Sequence, residues 1–178
     1  MIRNFLNIVI ACLIAIACRS KSENENEIKK QITNEDLIEI NRALIKKDRQ
    51  RISAHISRMG WDMQESETGL WYEIIENGEG DTVRNGNKIK LEYSLMLMDG
   101  AVCYSSKKSG PKEFVVGKGN VESGLEQAVL YLKKGSKARF ILPPYLAHGL
   151  TGDGNKIPAR AIIIYEVKLI SLSKSLME

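Results

Sequence analysis

The sequence predicts an α+β fold, an antiparallel sheet of about five strands wrapped around one short helix and preceded by an N-terminal amphipathic helix. Three observations carry this reading. Short runs of alternating hydrophobicity fill the chain after Trp61, a single short helical pattern interrupts them, and no strand–helix–strand repeat of the kind that builds a parallel sheet is present. With 178 residues, 43% hydrophobic and 27% charged, the chain has room for one packed domain with accessory segments. A formal charge of +4, from 26 basic and 22 acidic residues without a localised basic stripe, argues against nucleic acid as a partner.

The elements follow in order. Residues 1–17 read as a lipoprotein signal: Arg3 supplies the charged start, Phe5 to Ala17 are apolar apart from Asn7, and small residues precede a cysteine. About 13 apolar residues fall short of the roughly 20 that span a bilayer as a helix. Ala15-Ile16-Ala17-Cys18 resembles a bacterial lipobox, with Ala15 where leucine is usual; Val9-Ile10-Ala11-Cys12 also satisfies the pattern but would leave too short an apolar region. Cys18 is therefore the expected lipidation site, and acyl chains at about 0.8 kcal/mol per buried methylene would hold the protein on a membrane. An ordinary cleaved signal is the plainer alternative. The expected location is a membrane lipoprotein facing the periplasm, where Cys103 would have no disulfide partner once Cys12 is removed and Cys18 is acylated.

Residues 18–34 are polar, include Glu23-Asn24-Glu25-Asn26-Glu27, and read as a tether. Residues 35–60 read as an amphipathic helix with Asn34 as N-cap and Leu37, Ile40, Leu44, Ile52, Ile56 and Met59 on one side. Arg42, Lys46, Lys47, Arg49 and Arg51 would form a solvated face or, alternatively, a surface for a partner or an anionic membrane. Every aromatic residue outside the signal lies at Trp61 or later, so the main core belongs to a domain over 61–178, and the helix is expected to be separable from it.

Within 61–178, Gly69 to Glu76 reads as a strand closed by Asn77-Gly78-Glu79-Gly80-Asp81. From Lys88 to Met98, Ile89, Leu91, Tyr93, Leu95 and Leu97 alternate with polar residues, a half-buried strand ending at Asp99-Gly100. Glu113 to Val116 is a further strand, and Val121 to Lys133 a short helix stopped by Gly135. Lys137 to Leu142 and Ala161 to Leu172 are the remaining strands, joined by a Pro- and Gly-rich segment from Pro143 to Arg160 whose length marks it as functional.

The familiar catalytic constellations are missing. His55 and His148 do not sit among carboxylates or cysteines at metal-ligand spacing. Gly117-Lys118-Gly119 is too short for a phosphate-binding loop, and Gly149-Leu150-Thr151-Gly152-Asp153-Gly154 does not open a helix. A lone cysteine such as Cys103 is more often a small buried hydrophobe than a nucleophile.

What remains is a set of short motifs in one order. They are Asp99-Gly100, Phe114-Val115-Val116-Gly117, Val121-Glu122-Ser123-Gly124-Leu125-Glu126, Leu132-Lys133-Lys134-Gly135, Ile141-Leu142-Pro143, Ala147-His148-Gly149, Ile157-Pro158 and Ile164-Tyr165-Glu166-Val167-Lys168-Leu169. Over roughly residues 69–172 this resembles the FK506-binding-protein (FKBP) family of peptidyl-prolyl cis-trans isomerases. Together with the lipobox and the leading helix that ends Gly60-Trp61-Asp62-Met63, the chain resembles the gliding-motility-associated isomerase lipoproteins of gliding bacteria.

The resemblance implies an FKBP-like fold, X-Pro isomerisation in proline-containing polypeptides, and no metal or organic cofactor. It places Tyr93, Phe114, Val121, Leu125, Ile157 and Tyr165 around the prolyl ring, with the backbone amide of Glu122 as a carbonyl donor. His148 stands where a tyrosine hydroxyl usually donates to the peptide. Four positions depart from the family pattern: Cys103 and Lys112 replace phenylalanines, Tyr104 an aspartate and Leu125 a tryptophan. The alternative is a non-catalytic FKBP-like chaperone or binding module serving a motility or secretion complex, with the helix 35–60 as a possible interaction arm.

Overall fold

The computed structural model describes residues 33–174. Cys18, its signal and all of the tether but Thr33 and Asn34 lie outside the described residues. By its internal contacts the chain divides at Arg42–Ala43 into two units, the first ending within a long helix and the second holding all else that is described.

That helix, α1, spans Asn34–Met59. Its cap is Thr33, one residue before the expected Asn34: Thr33 Oγ1 accepts the Asp36 amide at 3.2 Å, and Asp36 Oδ2 accepts the Thr33 amide at 2.9 Å. This reciprocal pair is a capping box with aspartate in the glutamate position. The other end stops at Gly60, whose φ of 66° is costly for residues with a Cβ. There Trp61 N–H reaches back to the Ile56 carbonyl at 3.2 Å, closing a Schellman-type end.

Nine strands follow: β1 (Gln64–Glu65), β2 (Trp71–Glu76), β3 (Glu79–Thr82), β4 (Asn87–Leu97), β5 (Val102–Ser105), β6 (Lys112–Val115), β7 (Lys133–Lys134), β8 (Lys137–Leu142) and β9 (Ile163–Lys174). Two short helices lie between them, the single turn α2 (Ser106–Ser109) and α3 (Ser123–Ala128), which continues as a 3-10 turn over Val129–Tyr131. The main sheet is antiparallel in the order β1-β2-β8-β9-β4-β5, with β6 also pairing with β4; β3 and β7 form a separate ribbon. The five strands expected from the sequence correspond to β2, β4, β6, β8 and β9. β1, β3, β5 and β7 are short, polar or both, and carry too little alternation to be read from sequence.

Register explains the two faces. Side chains directly across neighbouring strands share a face. One row runs Tyr72–Phe140–Tyr165–Leu95–Tyr104 across β2, β8, β9, β4 and β5. It lies on the side of the main core, where Phe140, Tyr165 and Leu95 pack with Leu125, Ala128 and Val129 of α3 and its 3-10 extension. The row one residue away, Trp71–Ile141–Ile164–Met96, lies on the other face. There it packs with Ile52 and Ile56 of α1 and with Ile162, Trp61, Met63 and Met98 in a second cluster.

This second cluster revises the expected boundary at residue 61. Ala43–Met59 belong with the sheet, because Ile52 (1% exposed) and Ile56 (8%) are core residues. The expected apolar stripe is buried only in this half; Leu37 and Ile40 are 53% and 50% exposed. Arg42, Lys46 and Lys47 are exposed, as the solvated-face reading requires, while Arg49 pairs with Glu65.

Gly124 sets how closely α3 approaches the sheet. A Cβ there would sit 2.6 Å from Leu142 Cδ2 and 2.7 Å from the Leu146 carbonyl oxygen. Backbone cannot yield as a side chain does, so Gly124→Ala is expected to destabilise by about 1–3 kcal/mol. A urea midpoint that falls with an unchanged slope is the expected signature; an unchanged midpoint would mean that α3 has slack.

Candidate functional site

The site forms where the hydrogen-bonding partner of β4 changes. β5 pairs with β4 as far as Ser94↔Ser105, β6 takes over at Leu91↔Lys112, and Ser106–Pro111 bulges out between them. The backbone of Tyr93 would be left without a partner at this split. Ser106 replaces it, its Oγ accepting the Tyr93 amide at 3.1 Å and donating to the Tyr93 carbonyl at 3.3 Å. Tyr93 is thereby fixed as one wall, with its hydroxyl 3.3 Å from Ser109 Oγ. Tyr165 on β9 is the diagonal cross-strand neighbour, the two ring centroids 6.2 Å apart and tilted by 51°.

All the apolar residues singled out from sequence come together. Phe114, Leu125, Ile157, Tyr165 and Cys103 are buried in one cluster, and Tyr93, Val121 and Tyr104 pack against it half-buried. Glu122 caps α3 in an extended conformation, its carbonyl accepting the Leu125 and Glu126 amides at 2.9 and 3.0 Å. Among the described residues the Glu122 amide donates no hydrogen bond.

Sequence reasoning used only the backbone of Glu122, yet its side chain is the centre of a polar cluster. The carboxylate is 10% exposed. Its Oε1 accepts the Tyr165 hydroxyl at 3.0 Å and lies 3.0 Å from His148 Nε2, while Oε2 is buried without a hydrogen bond, 3.8 Å from Lys112 Nζ. Burial, followed by the Glu122 charge, pushes the Tyr165 hydroxyl far above the ordinary tyrosine range, so it stays protonated and donates. His148 Nε2 thus faces a carboxylate of the pocket, off-line for a good hydrogen bond. Lys112 Nζ is 3.4 Å from the Tyr165 hydroxyl, and 5.4 and 5.8 Å from the ring centroids of Tyr93 and Tyr165.

Two of the departures have a different occupation. Cys103 and Tyr104 anchor the Gly152–Ile157 turn of the long segment. Cys103 Sγ lies 3.5 Å from the Lys156 carbonyl, and Lys156 Nζ donates to the Cys103 carbonyl at 3.1 Å. Burial, then the Asp153 charge, pushes the Cys103 thiol up, away from the reactive thiolate. Tyr104 donates its hydroxyl to Asp153 Oδ2, and Asp153 Oδ1 accepts the Asn155 and Ile157 amides at 2.9 and 2.8 Å. This relay fixes the backbone at Ile157, whose side chain is buried in the main cluster. At the other end of the segment Arg160, at a φ of 56°, donates its amide to the Gly149 carbonyl and its guanidinium to Asp48 of α1 at 2.7 Å.

The relay has a pH signature. The Tyr104 hydroxyl first, then the Ile157 and Asn155 amides, holds the Asp153 carboxyl down at about 2, against an ordinary 3.8. A depressed carboxyl contributes stability above its ordinary pKa and loses it as pH falls through the folded value. Amide protection at Asn155 and Ile157 is therefore expected to fall between pH 3.8 and about 2. In Tyr104→Phe the loss should begin at higher pH. Equal protection profiles in the two proteins would rule out the relay.

Residues 80–170 match the family model described as FKBP-type peptidyl-prolyl cis-trans isomerase, just over half of the chain and a range that contains every candidate pocket residue. The chain belongs to this FKBP-type family. Among curated relatives it is 38% identical over 91 residues to FK506-binding protein 2 of Dictyostelium discoideum, a match covering 51% of this chain and 68% of that one. A probable FKBP-type peptidyl-prolyl cis-trans isomerase of Haemophilus influenzae is 32% identical over 115 residues, 64% of this chain and 47% of its own length. The chain thus spans about half the length of that bacterial relative. The crystal structure of FkpA from Escherichia coli shares the fold, with a TM-score of 0.63 at 20% identity over 90% of this chain and 83% of that one. Among the described residues no helix is long and apolar enough to cross a membrane.

Proposed function

We propose that this FKBP-type protein isomerises X-Pro bonds in exported polypeptides from a membrane surface, to which Cys18 tethers it. What supports this reading is a cluster of side chains: Phe114, Leu125, Ile157 and Tyr165 are buried together, Tyr93 and Val121 pack against them, and among the described residues the Glu122 amide donates no hydrogen bond. Rotation about an X-Pro bond meets a barrier of about 18–20 kcal/mol arising from amide resonance, and no covalent bond is broken. The planar amide is more polar than the twisted one. A wall that strips water from the amide and fits the twisted shape therefore favours the transition state, while the Glu122 amide holds a peptide carbonyl. His148 Nε2, 3.0 Å from Glu122 Oε1, is close enough to orient that carboxylate.

The protein's clients are proline-containing polypeptides, including components of a motility apparatus, and the exposed half of α1 is a surface for assembly with them. Tethering at Cys18 fits a short apolar leader that ends in small residues. The test has two arms: catalysis of a proline-limited refolding reaction by the purified protein, and fractionation of cells carrying Cys18→Ser. Faster refolding and a protein released from membranes or left unprocessed are the expected results. Binding without acceleration would favour the chaperone reading, and unchanged size and membrane association in Cys18→Ser would remove the tether.

A further inference from the structure

On the proposed reading a prolyl ring docks against Tyr93 and Tyr165, and the Lys112 ammonium lies over both of those rings. It lies 5.4 and 5.8 Å from the centroids of two rings that are themselves 6.2 Å apart. A prolyl ring touching both tyrosines would compete with the ammonium for the space over their faces, since apolar contact means heavy atoms within about 4.0–4.5 Å. We propose that Lys112 gates the pocket: its ammonium holds the site between Tyr93 and Tyr165, and a peptide with a carboxylate beside its proline draws it away. The proposal rests on the isomerase reading, because it is the proline that competes for the place.

The lysine is held loosely enough to leave. Its contacts are a 3.4 Å hydrogen bond to the Tyr165 hydroxyl, a 3.8 Å approach to Glu122 that exceeds hydrogen-bond length, and the faces of two rings. The side chain is 27% exposed, on a four-carbon stem that starts from β6, which pairs only with β4. When Lys112 swings out, Glu122 Oε1 keeps the Tyr165 hydroxyl and the neighbouring His148 Nε2, each at 3.0 Å, while Oε2, which makes no hydrogen bond, loses the ammonium 3.8 Å away. Once off the rings, the ammonium stands at the pocket mouth beside the peptide. There an acidic side chain attracts it, a neutral one leaves it unpaired, and a basic one repels it. The preference is therefore acidic over neutral over basic at the residue next to proline.

The experiment measures binding of three short peptides, Glu-Pro, Leu-Pro and Lys-Pro versions of one sequence, to wild type, Lys112→Met and Lys112→Gln. The Tyr93 and Tyr165 ring signals in NMR report occupancy, and isomerisation of the same peptides is followed in parallel. Wild type should bind the Glu-Pro peptide most tightly and the Lys-Pro peptide least. In Lys112→Met the Leu-Pro peptide should bind about tenfold tighter, as loss of a partly desolvated cation–π contact allows, and the order should flatten. Lys112→Gln, which keeps a polar side chain but no charge, should also lose the order. An order that survives in both variants, or Leu-Pro binding that does not tighten, overturns the gate. Tighter binding in Lys112→Met without isomerisation by any of the three proteins upholds the gate and refutes the isomerase reading; isomerisation with unchanged binding does the reverse.

Discussion

Tyr93→Ala is expected to lower X-Pro isomerase activity at least tenfold in a protein that remains folded. Tenfold corresponds to about 1.4 kcal/mol of transition-state stabilisation, a modest demand on a ring that forms one wall of the site. Tyr93 is half-buried, and among the described residues its hydroxyl hydrogen-bonds only to Ser109, at 3.3 Å, so most of what is lost is apolar surface against the proposed substrate. The stability cost should stay near 1–2 kcal/mol, below the roughly 3–5 kcal/mol of a fully buried aromatic ring. Tyr165, at 0% exposed, belongs to the latter class, and Tyr165→Ala would confuse unfolding with catalysis. Tyr93→Phe keeps the wall and should retain most of the activity. Full activity in a folded Tyr93→Ala protein would place the chemistry elsewhere.

Ile52→Ala is expected to cost about 2–4 kcal/mol of stability, as for other large-to-small changes at fully buried sites. Ile52 is 1% exposed and packs on the Ile141–Ile164 row of the sheet. Leu37→Ala on the same helix, at 53% exposure, should shift stability by less than about 0.5 kcal/mol. Chemical denaturation of both variants checks the contrast. Equal small effects would restore the separable helix that the sequence suggests.

The helix α1 was legible in the sequence, whereas the packing of its second half on the sheet was not, and the reason is physical. Its buried side carries Asp48 and His55, 4% and 6% exposed, beside Ile52 and Ile56, so apolar and polar sides differ little along the chain. Asp48 is buried because Arg160, from a segment 112 residues away, meets it, and no local pattern announces such a partner. The strand over Asn87–Leu97 was legible for the opposite reason: one face is core and the other carries Lys88, Lys90, Glu92 and Ser94, so Ile89, Leu91 and Leu95 stand out. The pocket was legible in its walls and not in its charges. Phe114, Leu125, Ile157 and Tyr165 are apolar residues in buried places, whereas a glutamate at the start of a helix is by default a solvated one. Only the fold brings Lys112, Glu122, His148 and Tyr165 together from β6, the cap of α3, the long segment and β9.

The central claim is that this pocket twists prolyl amides, and it is tested most directly by exchange NMR on a short X-Pro peptide. Peaks of the cis and trans forms are followed with and without catalytic amounts of the protein, across the pH range in which histidine titrates. Exchange that is accelerated in wild type, sharply reduced in Tyr93→Ala and nearly independent of pH is the predicted result, since desolvation and shape require no proton transfer. Exchange at the uncatalysed rate in the presence of the folded wild-type protein would contradict it.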